Sequence, residues 1–231
     1  MDILNNIVLI LQRYWDLFLE GIGVTLLLSA IAVGCGVIIG SLLALMRLSK
    51  WHIGKVRPLN LIATIYVEII RGTPLLLQLY FFFFLLPMMI PALETSASFS
   101  ITLALCLNSG AYVAEVIRAG ISAVDKGQTE AARSLGLNAR QTMTKVVFPQ
   151  AIKNILPAIG NEMIALLKET AVAGYVAVVD LTRAGNLVRN NTYDAVNPLL
   201  IVAATYLILV VALTKLLWVF ERRLSNRDHR K

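Results

Sequence analysis

The chain has 231 residues, 58% of them hydrophobic, and a formal net charge of +7. Uncharged runs of 20 or more residues exclude a soluble domain, and two histidines with two cysteines supply no metal or disulfide framework. The positive balance raises nucleic acid as a ligand, an alternative that the distribution of the charge removes.

Residues 1–16 lack the basic start and small-residue cleavage pattern of a secretory signal. "LNNIVLILQRYW" predicts an interfacial helix with Tyr14 and Trp15 at headgroup depth. The uncharged run Gly21–Met46 predicts a first span over 18–46. Cys35 lies inside it and reads as a small hydrophobe, as does Cys106 further on. "GCGVIIG" (34–40) lacks the strand–turn–helix context of a dinucleotide site. Gly36 and Gly40, four apart, instead suit close helix packing in the membrane.

Leu59 to Ile90 is too long for one straight span. Asn60, Thr64, Glu68 and Arg71 fall at i, i+4, i+8 and i+11, a narrow polar stripe on an apolar helix, with Glu68 and Arg71 spaced to pair. "RGTP" then breaks the pattern, because Pro74 disfavours helix at the residue before it. This predicts an elbow, followed by a second span over 74–91 in which Gln78 is the lone polar residue well inside. A third span, 97–117, places Asn108, Tyr112 and Glu115 on one face, with Arg118 spaced to neutralise Glu115.

Residues 118–154 are the longest polar stretch. Thr129 suits an N-cap, Glu130 the first turn and Gly136 the left-handed residue that closes a short helix. Asn138 suits the cap of a second, whose apolar face is Ala139, Met143, Val146 and Val147, and Pro149 is expected to stop it. Two short capped helices have too little core of their own and are expected to dock into a partner.

A fifth span, 155–179, is interrupted by Glu162, Lys168 and Glu169. A charge at a helix centre costs about 2.5–3.5 kcal/mol on insertion scales, so these must face protein or a watery cavity. Glu162 and Glu169 lie on one face, Asn161 and Lys168 on the adjacent stripe. The readings are a substrate pathway, favoured for Glu162–Thr170, and mutual neutralisation, favoured for Glu115. Residues 182–197 are expected to be a loop before the last span, 197–220.

With five spans, sixteen of the 21 basic residues fall on one side: Arg47–Arg71, Arg118–Lys153 and the tail, Arg222, Arg223, Arg227, Arg230 and Lys231. Only Arg13, Arg183 and Arg189 fall on the other. Positive residues collect in cytoplasmic loops, which predicts an outside N-terminus and a cytoplasmic tail, and accounts for the charge without nucleic acid.

"GQTEAARSLGLNARQTMTKVVFPQAIKNILP" (127–157) resembles the EAA loop of permease subunits of bacterial ABC importers, with Glu130, Ala131, Ala132, Gly136, Ile155, Leu156 and Pro157 on its pattern. "YVEIIRGTPLLLQLYF", "NSGAYVAEVIRAGI" and "LLKETAV" are similar to the subfamily that imports polar amino acids. The resemblance implies an all-α integral membrane protein with the type I ABC importer permease fold: five transmembrane helices and cytoplasmic coupling helices, in the bacterial inner membrane. It implies an ABC ATPase dimer as partner, docked on Glu130, Ala131, Ala132 and Gly136. A second permease subunit, identical or related, and an extracytoplasmic amino-acid-binding protein complete the assembly.

The sequence has no Gly-x-x-x-x-Gly-Lys-Ser/Thr, so ATP and magnesium are expected on the ATPase, and the chain itself is not an enzyme. His52 and His229 both lie in basic, non-membrane segments and suit no metal hydrolase. The expected pathway residues are Gln78, Asn108, Tyr112, Asn161, Glu162, Lys168, Glu169 and Thr170. Their local acidity favours a basic amino acid, with glutamine or an acidic amino acid as the alternative. A secondary transporter would use similar charges without needing the docking loop.

Overall fold

The computed structural model describes residues 3–49, 51–91 and 95–228, with side chains through Arg222. Lys50, His229, Arg230 and Lys231, which entered the readings above, lie outside the described residues, as do the side chains of Arg223 and Arg227. Every extended regular element among the described residues is helical. The one β feature among the described residues is an isolated bridge between Ile53 and Val56, turned by Gly54 at φ +62°.

Helix α1 (Ile3–Leu48) is interrupted at Tyr14 (φ −124°, ψ 16°), where the expected interfacial segment meets the span. Helix α2 (Pro58–Gly72) stops at the "RGTP" break: Pro74 is extended, at ψ 138°, before α3 (Leu75–Tyr80) begins. A π-turn (Phe81–Leu85) and α4 (Leu86–Met89) complete this bent pair, and α5 (Ala97–Ser122) follows. Three described helices are long and apolar enough to cross a membrane: Ile3–Leu48, Ala97–Ser122 and Asn197–Arg222. The bent pair makes a fourth if it counts as one span.

The polar stretch differs in detail from its sequence reading. Helix α6 (Lys126–Ser134) is capped by Asp125, not Thr129. The Asp125 carboxylate accepts from the Gly127 N–H at 2.6 Å, and Glu130 falls mid-helix. Asp is the stronger cap, and it comes first in the chain. Gly136 does adopt a left-handed conformation, at φ +85°. Asn138 caps α7 (Ala139–Thr142) in a reciprocal box with Gln141, both bonds being 2.9 Å.

Pro149 does not stop this helix. A π-turn (Met143–Val147) leads directly into α8 (Phe148–Glu169), so the chain stays helical from Ala139 onward. The wider turn pairs the Phe148 N–H with the Met143 carbonyl and leaves Pro149 near a helix start, where its missing N–H costs little.

The fifth expected span also changes outline. Helix α8 begins before 155 and ends at Glu169, tightening into a 3₁₀ segment (Thr170–Val176) that closes on Ala177 at φ +61°. Residues 182–197 are not simply a loop: α9 (Leu181–Thr192) fills most of them, and α10 (Asn197–Asp228) follows. Leu181, Ala184, Gly185 and Val188 are buried at i, i+3, i+4 and i+7, an amphipathic helix that arginines and asparagines obscure in the sequence.

The chain divides into two compact units, Met1–Ala32 with Thr73–Cys106 and Met163–Lys215, and Val33–Gly72 with Leu107–Glu162 and Leu216–Lys231. In the first, Ile10 and Phe18 of α1 pack with Leu181, Ala184 and Val188 of α9 and Ile201 and Val202 of α10. The fully buried Asp180 carboxylate caps α9, accepting at 3.0 Å from the N–H groups of Thr182 and Arg183. The Tyr206 hydroxyl adds a longer bond to it at 3.4 Å, and the Leu181 N–H donates to the Thr25 hydroxyl at 3.2 Å.

In the second unit Leu43, Ala63, Val67, Ala111 and Ala114 form a core of mostly small side chains from α1, α2 and α5. Gly36 and Gly40 bring α1 against α5. A Cβ on Gly36 would lie 2.1 Å from Ser109 Oγ, and one on Gly40 would lie 2.7 Å from Val113. The expected close-packing role of this glycine pair is thus met within one unit. The Tyr66 hydroxyl ties α2 to α5 through the Leu107 carbonyl at 2.9 Å.

Candidate functional site

The second unit holds a cavity of about 710 Å³. One wall is the polar stripe of α2, with Asn60, Thr64, Glu68 and Arg71 all lining it. Helical spacing at i, i+4, i+8 and i+11 aims these four side chains the same way, and the buried Ala63 and Val67 flank the stripe, Val67 also lining the cavity. Arg47 from the end of α1 and Tyr112, Glu115, Arg118 and Ser122 from α5 complete the polar lining.

Glu115 organises the charges. Its carboxylate accepts from Arg47 at 3.0 Å and from the Arg118 Nε at 3.0 Å, with a further short bond from the second Arg118 nitrogen. Arg71 stands 3.9 Å from the same carboxylate, and its guanidinium lies 5.2 Å from the centre of the Tyr112 ring. The expected Glu115–Arg118 pairing is present. Arg71 faces Glu115 and Tyr112 where the spacing had suggested Glu68. The Asn60 side-chain amide fixes the end of α1 by donating to the Arg47 carbonyl at 2.8 Å. Three guanidinium groups against two carboxylates leave the lining with a positive excess.

The sequence-predicted pathway residues are distributed over both units. Tyr112 lines the cavity, and Asn108, one turn earlier on α5, is buried in the same unit. Asn161, exposed, and Glu162, half-buried, also belong to the second unit. Gln78, Lys168, Glu169 and Thr170 belong to the first. There the buried Gln78 amide donates to the Thr73 carbonyl and hydroxyl at 3.1 and 3.0 Å, bracing the elbow. Thr170 is fully buried, with its hydroxyl donating to the Leu167 carbonyl where α8 tightens into the 3₁₀ segment. Lys168 is exposed and Glu169 half-buried.

The sequence reading did not assign Arg47, Asn60, Thr64 or Arg71 to a site. The α2 stripe was the available signal, but the partners of Arg47 and Arg71 lie far away in sequence.

The segment expected to dock presents Glu130 and Ala131 to solvent and buries Ala132. The Arg133 guanidinium of α6 donates to the Leu137 carbonyl in the connecting turn at 3.0 Å, and Gln150 of α8 reaches Gln128 of α6 at 3.2 Å. Leu135, between them, is 84% exposed, a large apolar side chain offered outward at the tip.

Comparison with known proteins gives a consistent pattern. Residues 36–226 match the family described as binding-protein-dependent transport system inner membrane component. A permease protein of Rickettsia conorii named for a glutamine transport system is 42% identical over 205 residues, covering 89% of this chain and 91% of that one. The arginine transport system permease protein of Bacillus subtilis is 40% identical over 210 residues, covering 91% and 93%. A crystal structure of an amino acid ABC transporter with histidines superimposes with a TM-score of 0.86 at 44% identity, covering 96% of this chain and 99% of that one.

Proposed function

Because this chain belongs to the family of binding-protein-dependent transport system inner membrane components, the permease subunits of ABC importers, we propose that it moves a basic amino acid across the membrane when a partner ATPase hydrolyses ATP. It is a membrane component with the importer permease fold and not itself an enzyme. The single observation that carries the coupling half of the proposal is the α6–α7 segment. Two short helices stand capped at Asp125 and Asn138, joined through Gly136 at φ +85°, with Glu130, Ala131 and Leu135 turned outward. A surface so ordered and so little covered suits insertion into a partner. Small side chains at Ala131 and Ala132 permit close approach. ATP and magnesium belong to the ATPase, and a second permease subunit and an extracytoplasmic binding protein complete the importer.

The substrate half rests on Glu162, with Asn161 beside it and Lys168, Glu169 and Thr170 further along the chain. An acid at membrane depth favours a cation, and a low dielectric strengthens that preference. The arginine and glutamine names of the relatives above are compatible with a basic or neutral polar substrate. Gln78, Asn108 and Tyr112 supply the neutral polar groups of the proposed path. In topology, the basic connection after α1, the α6–α7 segment and the tail face the cytoplasm, and the N-terminus and α9 face outside.

The test uses the complete importer in lipid with its binding protein. Arginine, lysine or histidine should stimulate ATP hydrolysis more than glutamine, and glutamine more than glutamate. In Glu162→Gln the preference for the cation should shrink selectively. Best stimulation by glutamate, or an unchanged ranking in the variant, overturns the substrate assignment. Uptake that persists with an ATPase unable to hydrolyse ATP overturns the coupling.

A further inference from the structure

We infer that the second unit binds one anionic phospholipid, its acyl chain in a slot beside α8 and its phosphate on the basic surface of the α6–α7 segment. The slot has a volume of about 430 Å³ and is almost wholly apolar: Leu45, Ile117, Phe148, Ile152 and Ile159 line it, with Ser41 and Thr144 its only polar residues. Leu45 and Phe148 are 64% and 45% exposed, so the slot opens outward.

A second cavity, of about 880 Å³, adjoins it, with Leu48, Ile121 and Met143 lining both. Its lining sets cations beside apolar residues. Lys126, Arg133 and Arg140 line it, and no carboxylate does among the described residues. An apolar slot that adjoins a vestibule of three cations has the amphiphilic order of a lipid with a negative headgroup. It has the wrong order for a zwitterionic lipid or a neutral hydrophobe. Basic pockets beside membrane helices take anionic headgroups in this way, and the acyl chain supplies the apolar contact. Charge complementarity therefore selects the occupant. Only the leaflet rests on the topology proposed above.

The complex with its ATPase, reconstituted in nanodiscs of equal phosphatidylglycerol and phosphatidylcholine, is stripped in detergent and its retained lipid measured by native mass spectrometry. Phosphatidylglycerol should be enriched severalfold over phosphatidylcholine. Lys126→Gln with Arg140→Gln should return the ratio to that of the bilayer. Thr144→Trp, an exposed position at the slot, should lower retention of both lipids. A wild-type ratio equal to the bilayer's overturns the assignment, as does retention unchanged in both variants. Loss of bound ATPase in the charge variant, with its lipid ratio unaltered, also overturns it by assigning the cations to the ATPase. Because the readout is lipid and not transport, the site stands or falls separately from the importer reading.

Discussion

Arg47 and Glu115, 68 residues apart in sequence, meet in a 3.0 Å ion pair whose partners are only 13% and 22% exposed. The pair fastens the end of α1 to α5 at the rim of the charged cavity. Removing Glu115 strands Arg47 in a half-buried setting, which costs more than the pair contributes when both are present, whereas Glu115 without Arg47 keeps its bonds from Arg118. Glu115→Gln should destabilise the purified complex by about 2 kcal/mol, the scale of a hydrogen bond to a charged group. Arg47→Gln combined with it should cost less than the sum of the two single changes. Thermal unfolding of the four proteins gives the coupling, and strict additivity would show that the contact is idle.

The glycine spacing on α1 makes a second prediction with its own control. A Cβ on Gly40 would stand 2.7 Å from Val113 and 2.8 Å from the Ala114 backbone nitrogen, whereas one on Gly34 meets nothing within 4 Å. Gly40→Ala should therefore cost about 1–3 kcal/mol by overpacking, and Gly34→Ala should be neutral or slightly stabilising. Equal melting temperatures for the two variants would contradict the close approach of α1 to α5.

Gly136 tests the docking segment. Its φ of +85° is reached freely by glycine and only at a cost of roughly 1–2 kcal/mol by other residues, most steeply by β-branched ones. Gly136→Val should lower both ATPase co-purification and uptake severalfold, while Gly136→Asn should retain most of each. Wild-type behaviour in the valine variant would separate this turn from coupling.

Sidedness is accessible to cysteine labelling in a background lacking Cys35 and Cys106. Asn191 on α9 and Lys55 between α1 and α2 are both exposed. An impermeant maleimide should label Asn191→Cys in intact cells, and Lys55→Cys only in inside-out vesicles. The opposite pattern would invert the proposed topology.

The Asp194 turn predicts an acid sensitivity. Its carboxylate accepts from the Val196 and Asn197 backbone N–H groups at 3.0 Å and from the Asn197 side chain, which hold its pKa below the ordinary carboxylate range. A depressed folded-state pKa contributes stability above the unfolded value of about 3.9, and that contribution disappears as pH falls through the folded value. Amide exchange at Val196 and Asn197, corrected for intrinsic rates, should accelerate as the pH drops below about 4. In Asp194→Asn that acid-dependent acceleration should be absent.

Residues that act through local periodicity were readable in advance. The α2 stripe, the break at Pro74, the Gly36–Gly40 pair and the Asn138 cap each depend on neighbours within about a dozen positions. The ion pair of Arg47 with Glu115 depends on how α1 meets α5, and no pattern within either helix encodes it. Thr129 suited a cap by residue type, but the structure uses Asp125, a stronger cap four residues earlier that the sequence reading passed over. Helix α9 was hidden by its own polar face, although Leu181, Ala184, Gly185 and Val188 kept the helical period. The π-turn before Pro149 had no sequence signature that distinguishes a stop from a widened turn.

That widened turn has a mechanical consequence. Because Pro149 does not break the chain, Ala139 to Glu162 form one uninterrupted shaft of about 35 Å at 1.5 Å per residue. A loop at this point would absorb a push delivered at its foot, but a shaft conveys it. If the α6–α7 segment docks as proposed, axial displacement of that end is carried along the helix to Glu162, and rotation at the foot turns that carboxylate about the same axis. Only Pro157, within α8, offers compliance along the way. A flexible insert after Val147 should therefore uncouple the importer while leaving both the docked foot and the acidic residue intact.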